Sequence, residues 1–546
     1  MDKVKVAETA YALFHEFRTA YMAEWQRLAK CERMYHGDHW HGVPEKDAGE
    51  PRPVTPILQS TVENVRADLM DSFPEAVITA DEPEYAAVAE LLTAAIKENH
   101  LRGGYSREYG RLTHDLLVGG YMVQETGYDP ALNGGLGGAF LRYVDPRCIL
   151  FDPLVSDFQE GRAVFKFVPY PRAWFESHYP KEAAAMKADG LGLRPVRDAL
   201  LTIREEDIIL LVECWRREYD PKNGRYSVHM QKLAGGLLLE DSRTQKPQGY
   251  FAHGEYPFTV TALYPRKGSC LGYGLIDMFE KAQLYSDKLD QILLKNALMA
   301  SHNKLLITGG SGFDAEDLRD WSKEVHRGEN LNGVTWFPTP PLPAYLIGYV
   351  QSIRESIKQE SGANDFSRGM TTGGVTAAAA IAALQEMSSK RSRMAARAVQ
   401  DAFEAAVRQE IEVEREFCIL PRQVALPGAS SKRAKFTADM LMKNTELGNR
   451  VPLEFSITVK VQRENRFSVV AHNELILSMV RMGMLTVDVG MEMMLFDGKA
   501  QAKALMAKKM EEMQAQDGAQ ALCKAERGND RATPIAKEIL SRAHAQ

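Results

Sequence analysis

Two stretches in which apolar residues repeat every seven positions, 275–300 and 345–360, constrain the fold of this chain more than any other feature. The repeated positions of the first stretch alternate at spacings of four and three, and they are Met278, Ala282, Tyr285, Leu289, Ile292, Asn296 and Met299. The same spacing occurs in the second stretch at Leu346, Val350, Ile353 and Ile357. Such a repeat is typical of a helix that packs along another helix. We therefore predict two helices that run antiparallel as a stalk.

The residues between the two helices, 304–344, predict a small strand–helix–strand module at the tip of the stalk. Lys304–Thr308 has the composition of a strand and is followed by a glycine-rich turn. Asp314 can cap a short helix that extends to about Val325. Val334–Phe337 is the second strand, and the prolines after it prevent its continuation.

A loop rich in glycine and small polar residues, 361–374, leads into an alanine-rich helix over 375–418. Alanine is the best helix former, and at 1.5 Å per residue such a helix would be about 65 Å long. Pro421 marks its end. Apolar and polar residues alternate at 453–461, which predicts a strand with one buried face. The last residues, 471–546, return to a helical pattern.

The N-terminal part of the chain combines helices with short strands. Aromatic and aliphatic residues at spacings of three and four predict an amphipathic helix over 7–30, and further helices are predicted at 56–73, 85–99 and 106–118. Short strands separated by Gly-Gly and Asp-Pro turns are predicted across 121–264. We therefore expect an α+β fold that is mainly helical.

Composition excludes several classes of protein. The chain has 546 residues, of which 45% are hydrophobic and 26% are charged, so it is an ordinary folded protein that is too long for one core. No apolar run approaches the ~20 residues that span a bilayer, and the polar start Met1–Lys5 is unlike a signal peptide. We expect synthesis in the cytoplasm and no membrane partner. The six cysteines are widely scattered, which favours free buried thiols over disulfides.

The charge balance limits how the chain can bind nucleic acid. There are 67 basic and 73 acidic residues, which gives a net charge of −6. Proteins that grip nucleic acid tightly usually have a basic excess. If DNA is a partner, a large and strongly basic surface does not hold it.

The sequence contains no motif of a nucleotide-binding or hydrolytic enzyme. Gly498-Lys499 is followed by Ala500, where a phosphate-binding loop has Ser or Thr. After Gly309–Gly312, Phe313 stands in the place of the second glycine of a nucleophile elbow. We expect neither catalytic activity nor a cofactor, and the energy for any DNA movement must then come from a partner.

Two short motifs and the order of the elements resemble the portal proteins of tailed phages, most closely those of short-tailed phages. Tyr35–Trp40 (YHGDHW) is similar to an aromatic-x-Gly-x-Gln-Trp stretch after the opening helix of many portals, with His39 in the glutamine position. The paired turns Val144–Pro146 (VDP) and Phe151–Pro153 (FDP) are similar to turns in portals of short-tailed phages. The order of helix, strand module, helix, loop, long helix and strand over 270–470 is the third feature.

The resemblance implies a portal fold with wing, stem, clip and crown regions. The implied regions are a wing at 1–270, a first stem helix at 271–303, a clip at 304–344, a second stem helix at 345–360, a tunnel loop at 361–374, a long helix with a closing wing strand at 375–470, and a C-terminal helical crown at 471–546.

The resemblance also implies a function, a location and a set of partners. A ring of subunits, usually twelve, would lie at one capsid vertex of the virion, as the channel for DNA packaging and ejection. Its partners would be the terminase packaging motor, a head-completion or tail adaptor protein, the major capsid and scaffolding proteins, and the double-stranded DNA in the channel. An alternative is another structural adaptor of a phage.

Three groups of residues are candidates for contact with these partners. Lys281, Lys288 and Lys295 repeat every seven residues, so they would face DNA as stacked rings of charge or pair with acids of a neighbouring subunit. In the loop, the candidates for weak contact with DNA are Asn364, Ser367, Arg368, Thr371 and Thr372. In the clip, the candidate anchors for the motor or adaptor are Trp321, Trp336 and Phe337, although packing within the module is an alternative role for them.

One histidine cluster leaves a different function open. His36, His39 and His41 lie close enough in sequence to bind zinc as neutral imidazoles, which would suit a metal-dependent hydrolase. The alternative is a turn after the first helix in which Trp40 packs and the histidines form hydrogen bonds. We favour the turn and predict no metal site, because the portal pattern already accounts for Tyr35, Gly37 and Trp40.

Overall fold

The computed structural model describes residues 3–45, 49–188, 208–221, 224–301, 304–320, 322–336, 341–361, 390–425, 433–444, 449–463 and 466–494. The chain divides into two compact units, 1–462 and 463–546. Among the helices so described, none is long and apolar enough to cross a membrane.

The described part of the chain forms both long and short helices. In chain order they are α1 (Lys3–Tyr35), α2 (Ile57–Met70), α3 (Ala86–Gly103), α4 (Tyr105–Val118), α5 (Leu132–Gly135), α6 (Arg172–His178), α7 (Ser242–Gln245), α8 (Leu275–Ser301), α9 (Tyr345–Ser361), α10 (Lys390–Phe417), α11 (Arg466–Arg481) and α12 (Val487–Met493).

The strands are mostly short. In chain order they are β1 (Ser72–Ala80), β2 (Tyr121–Asp129), β3 (Gly138–Val144), β4 (Ile149–Leu150), β5 (Val164–Pro171), β6 (Ile208–Asp220), β7 (Arg225–Ala234), β8 (Leu237–Asp241), β9 (Phe258–Ala262), β10 (Tyr264–Pro265), β11 (Gly272–Tyr273), β12 (Leu305–Ile307), β13 (Val334–Trp336), β14 (Arg422–Ala425), β15 (Arg433–Phe436), β16 (Met442–Asn444), β17 (Arg450–Pro452) and β18 (Phe455–Arg463).

The predicted N-terminal helices are confirmed as α1 to α4, and the mixture of helices and strands confirms the α+β class. Two antiparallel sheets dominate the strand region. One has the order β3–β2–β9 and the other the order β4–β5–β6–β7–β8. The remaining strand pairs are two-stranded.

Helix α1 connects two hydrophobic cores because apolar residues recur along it at spacings of three and four. In its first half, Phe14 and Phe17 lie edge-on to Phe165 of β5, with ring centroids 5.5 and 5.4 Å apart. Its last turns, from Cys31 to Tyr35, pack in the other core with α2, α3, α4 and α10. One helix therefore holds the five-stranded sheet and the helical core together.

Helix α10 carries the central packing of the first unit. The structure describes Lys390–Phe417 of the helix predicted over 375–418, and the rest of the predicted helix lies outside the described residues. Its buried side chains include Val399, Phe403 and Val407, and small alanines between them allow β2 and β9 to pack closely against it. The helix ends before Pro421, as predicted.

The C-terminal half of α10 buries two carboxylates. Glu414 Oε1 accepts hydrogen bonds from Asn99 Nδ2 (2.6 Å), the backbone N–H of Ala139 (2.8 Å) and Arg422 Nη2 (3.0 Å). Glu410 Oε2 lies 2.8 Å from His100 Nε2. Because a buried charge is costly without a partner, these contacts fix the rotation of α10 about its axis.

The strand predicted at 453–461 is confirmed as β18, and it pairs with β1 from the start of the chain. At this junction the Thr79 hydroxyl donates a hydrogen bond to the carbonyl oxygen of Ser456, and the Ser456 hydroxyl donates one to Asp81 Oδ1. The pairing connects β1, from the N-terminal part of the first unit, with β18 at its C-terminal end.

The described residues of the second unit form α11 and α12, which contact each other. Gly483 adopts a left-handed conformation with φ of 75° and ends α11, a position that favours glycine.

The helix predicted from Asp314 to about Val325 is wrong. Only Asp317–Arg319 form a single 3-10 turn among the described residues of this segment. Asp314 accepts a hydrogen bond from the N–H of Glu316, and Asp320 accepts one from the N–H of Ser322. Aspartates that bind the backbone two residues ahead stabilise turns in competition with a helix.

We predict that Glu414→Leu destabilises the first unit by about 3–5 kcal/mol, because it leaves the buried Arg422 guanidinium without its carboxylate. The free energy of unfolding in urea measures this effect. The matched control on the same helix is Glu404→Leu, which breaks an exposed pair with Arg408 and should cost no more than about 0.5 kcal/mol. Equal losses for the two variants would contradict the role given to Glu414.

Candidate interaction surface on the helix pair

The two predicted stalk helices are confirmed as α8 and α9, and they contact each other. Arg354 of α9 bonds to Asp290 of α8, and its Nε donates to Ser286 Oγ at 3.3 Å. Val350 and Ile357, two of the predicted repeat positions of α9, are buried. These two positions of the α9 repeat therefore face the protein.

The face of α8 that packs against the protein includes a buried polar stripe beside apolar residues such as Ile276 and Leu284. Gln283, Ser286 and Asp287 are fully buried, whereas apolar side chains would be usual at such positions. Gln283 Nε2 donates to the carbonyl oxygen of Thr55 at 2.7 Å and to Asp287 Oδ1 at 2.9 Å. The N–H of Thr55 donates to the same Oδ1 at 3.3 Å.

His39 completes this buried group. Its Nδ1 lies 2.6 Å from Asp287 Oδ2, and its Nε2 lies 2.9 Å from the carbonyl oxygen of Met34. Burial alone would lower the pKa of His39. The hydrogen bond and the charge of Asp287 raise this pKa by a larger amount, so the net shift is upward. We call His39, Thr55, Gln283 and Asp287 the polar joint, since they connect α8 to the segment after α1.

The Tyr35–Trp40 motif has a physical explanation in this joint. Gly37 adopts a left-handed conformation with φ of 84°, which ends α1 and turns the chain. The turn places His39 against Asp287, and Trp40 Nε1 donates to the carbonyl oxygen of Pro53 at 3.1 Å. The motif therefore serves to anchor α8.

The apolar repeat of α8 divides between two environments, since Ala282, Leu289 and Asn296 are partly buried whereas the other four positions are exposed. Met278, Tyr285, Ile292 and Met299 lie exactly seven residues apart, and 42–62% of each residue is exposed. The polar joint takes the protein-facing side of the helix, so these four residues point away from the described core. We call them the outer seam.

The three candidate lysines occupy different environments. Lys281 and Lys288 are exposed, and Lys288 Nζ lies 6.0 Å from the centre of the Tyr285 ring. Lys295 Nζ lies 3.5 Å from Glu50 Oε1 of the same chain. Lys295 thus pairs with an acid of its own subunit. Among the salt bridges of the described residues, none involves Lys288.

The module between the helices is a hairpin in which β12 and β13 pair antiparallel, with Leu305 opposite Trp336. The two predicted strands are confirmed. Trp336 is 59% exposed, and Ser311 is the only buried residue among those described from 304 to 336. Core packing is therefore not the role of Trp336 in the single chain. Trp321 and Phe337 lie outside the described residues.

The candidate loop residues cannot be placed in this geometry, because they lie outside the described part of the chain. They are Asn364, Ser367, Arg368, Thr371 and Thr372.

The three clustered histidines do not converge on one point. His39 uses both ring nitrogens in the polar joint, while the His36 and His41 side chains are mostly exposed and lie near Glu32 and Asp38. Within the described residues, the one group close enough to hold a metal ion is Glu32, His114 and Asp115. There His114 Nε2 already lies 3.1 Å from Glu32 Oε1, as a hydrogen-bonded pair.

Sequence reasoning missed the polar joint. Gln283 and Asp287 lie four residues apart on one face of α8, which was a signal for a buried polar stripe. Their partners, His39 and Thr55, are more than 200 residues away in the chain, so the pairing itself could not be read from local spacing.

Two family models match most of the chain between them. One is described as Phage P22-like portal protein and matches residues 12–262. The other is described as Phage SU10 portal protein and matches residues 204–443. No curated protein matches the chain.

Proposed function

Because this chain belongs to the phage portal protein family, we propose that it assembles into a closed ring at one vertex of a phage capsid and forms the channel for DNA packaging and ejection. Portal proteins are structural components of the virion, where they act as head–tail connectors in DNA packaging. The ring is expected to contain twelve subunits.

The outer seam is the observation that carries this proposal. Four apolar side chains in a row on one helix remain exposed in the single chain, and a contiguous patch of this kind on a soluble protein usually marks an interface. Their seven-residue spacing suits contact with another helix. In a ring, the neighbouring subunit would cover this seam, and α8 and α9 would form the stem.

The charge of the chain supports a channel that DNA can pass through. Each neutralised phosphate strengthens binding in a salt-dependent way, and a ring multiplies every contact. A net charge of −6 with a few lysines would let DNA slide. Lys281 and Lys288 either face DNA or pair with a neighbouring subunit, while Lys295 has Glu50 as its partner within the chain.

The hairpin of β12 and β13 is the proposed clip, which would bind the terminase motor during packaging and the tail adaptor later. A two-stranded hairpin without its own core is marginally stable alone. Most of the described residues of this module are exposed, including Trp336 and Leu306. Aromatic side chains are enriched at the centres of protein interfaces, which makes Trp336 the leading anchor, with Trp321 and Phe337 as further candidates.

The remaining regions follow from the family. Residues 361–374 would be the tunnel loop, 1–270 with the strand near 453–461 the wing, and 471–546 the crown. The major capsid and scaffolding proteins would contact the ring from outside. A different phage adaptor is a weaker alternative, since the two matching family models are both of portals. A hydrolase based on the histidine cluster is disfavoured by the separation of the three imidazoles.

We expect the double variant Tyr285→Asp with Ile292→Asp to leave only smaller species in light scattering, because charges in the outer seam would oppose subunit contact. Both side chains are exposed in the single chain, so its fold should survive, as circular dichroism can verify. The control is Leu101→Asp, which changes an equally apolar and 81% exposed residue on α3. Intact rings from the double variant would place the interface elsewhere.

Removal of residues 309–332 should abolish binding of the packaging motor in a pull-down while rings persist. Thr308 and Gly333 face each other across the hairpin, with the N–H of Thr308 2.9 Å from the Gly333 carbonyl oxygen, so a two-glycine linker can rejoin the chain. Trp336→Ala in the intact chain should weaken the same binding. Undiminished capture of the motor by the shortened ring would reject the clip assignment.

Particles with a Gly-Ser replacement of residues 364–372 should package DNA more slowly or retain it less well than normal particles. Arg368→Ala should have a smaller effect in the same direction, since one cation per subunit gives weak and reversible contact. Ring assembly should be unchanged in both. Normal filling and retention by the replaced particles would mean that the loop is only a connector.

A further inference from the structure

The hydrogen bonds of His39 require an extra proton on the His39–Asp287 pair. A carbonyl oxygen can only accept, so Nε2 must carry a hydrogen to bond to Met34 at 2.9 Å. Nδ1 then needs a second hydrogen to bond to the Asp287 carboxylate at 2.6 Å. Without that proton, the lone pair of Nδ1 would face a carboxylate oxygen.

Solvent cannot relieve this conflict, because the side chains of His39 and Asp287 are each only 1% exposed. The other oxygen of Asp287 already accepts from Gln283 and from the N–H of Thr55. Burial of an unpaired carboxylate against a lone pair is costly. Loss of one proton would therefore weaken the contact by which His39 holds Asp287 of α8.

The neighbouring charges do not remove the dependence of the polar joint on the proton of the His39–Asp287 pair. The charged and titratable groups near the pair come from α1, the following turn, α8 and α9, and they are Lys30, Arg33, Asp38, His41, Glu280, Lys288, Asp290 and Arg354. Four of these balance one another, since Lys30 pairs with Glu280 and Arg354 with Asp290, while Asp38 lies 3.3 Å from His41. Asp287 is left as the group that bonds directly to the imidazole.

We propose that the polar joint is a pH-sensitive fastening, which holds α8 to the body while the His39–Asp287 pair keeps its proton and loosens when alkaline pH removes it. This inference does not depend on ring formation or on the portal role. It concerns a contact within one chain. A change of pH alone would weaken the attachment of α8 to the body.

The sign of the effect follows from the upward shift in the pKa of His39, in which the pull of Asp287 outweighs burial. An unfolded histidine titrates near 6.5, so the folded protein binds this proton more tightly than the unfolded chain does. The stabilisation is complete below about pH 6.5 and is lost as the pH rises through the raised value.

The test compares thermal unfolding of the full chain and of His39→Gln between pH 6 and pH 9.5. A glutamine amide has two N–H hydrogens for the same two acceptors and does not titrate, and glutamine is the residue of the portal pattern at this position. The wild type should lose about 2 °C or more relative to the variant over this range. His41→Gln, which removes a mostly exposed imidazole from the same turn, should keep the wild-type slope. A slope for His39→Gln equal to that of the wild type would overturn the proposal.

A second measurement uses the unaltered protein, in case the variant fails to fold. Exchange of the imidazole C2 hydrogen with deuterium, followed by mass spectrometry across pH, reports the titration of each histidine. The midpoint for His39 should lie above 6.5 and above that of His41. A midpoint for His39 at or below that of His41 would also overturn the proposal.

Discussion

The buried contact of His39 with Asp287 decides which way α8 faces, and the character of the exposed surface depends on it. A helix with an apolar stripe would normally turn that stripe inward. Here several inward positions belong to Gln283, Ser286 and Asp287, whose hydrogen-bond partners are the segment after α1, the N–H of Leu58 in α2 and Arg354. Because a buried polar group without partners is costly, the helix cannot rotate to hide its apolar residues.

The same constraint operates at the other long helix of the first unit. Glu410 and Glu414 fix the rotation of α10 through His100, Asn99 and Arg422, although a well-packed apolar contact would give comparable stability. Buried polar groups of this kind contribute specificity, since only one rotation and one register satisfy them. Both helices are therefore positioned by directional contacts, and the apolar cores fill the space around them.

Local periodicity was enough to predict where most helices lie, since the repeat at 275–300 became α8 and the pattern at 7–30 became α1, which extends further, from Lys3 to Tyr35. It could not predict which face of α8 lies inward, because a seven-residue repeat indicates a helical neighbour without saying whether it belongs to the same chain. The short helix expected after Asp314 failed for a local reason, the competing turns of Asp314 and Asp320. Of the candidate site, the lysines and Trp336 were proposed from the sequence and stay predictions, whereas the His39–Asp287 contact required the folded chain.

The exposed outer seam and the buried polar joint are two consequences of one arrangement. An apolar face such as that of Tyr285 and Ile292 would be a liability in a monomer, but in a ring subunit it is a surface kept for a neighbour. The joint turns this face away from the described core, so in the proposed ring a neighbouring subunit would bury the seam. In a ring held in this way, apolar contacts between subunits would supply the association energy. Strong charge–charge contacts would then not be needed to keep the ring intact. That separation suits a conduit, because the contacts that hold the ring together are then independent of the weak contacts that let DNA move.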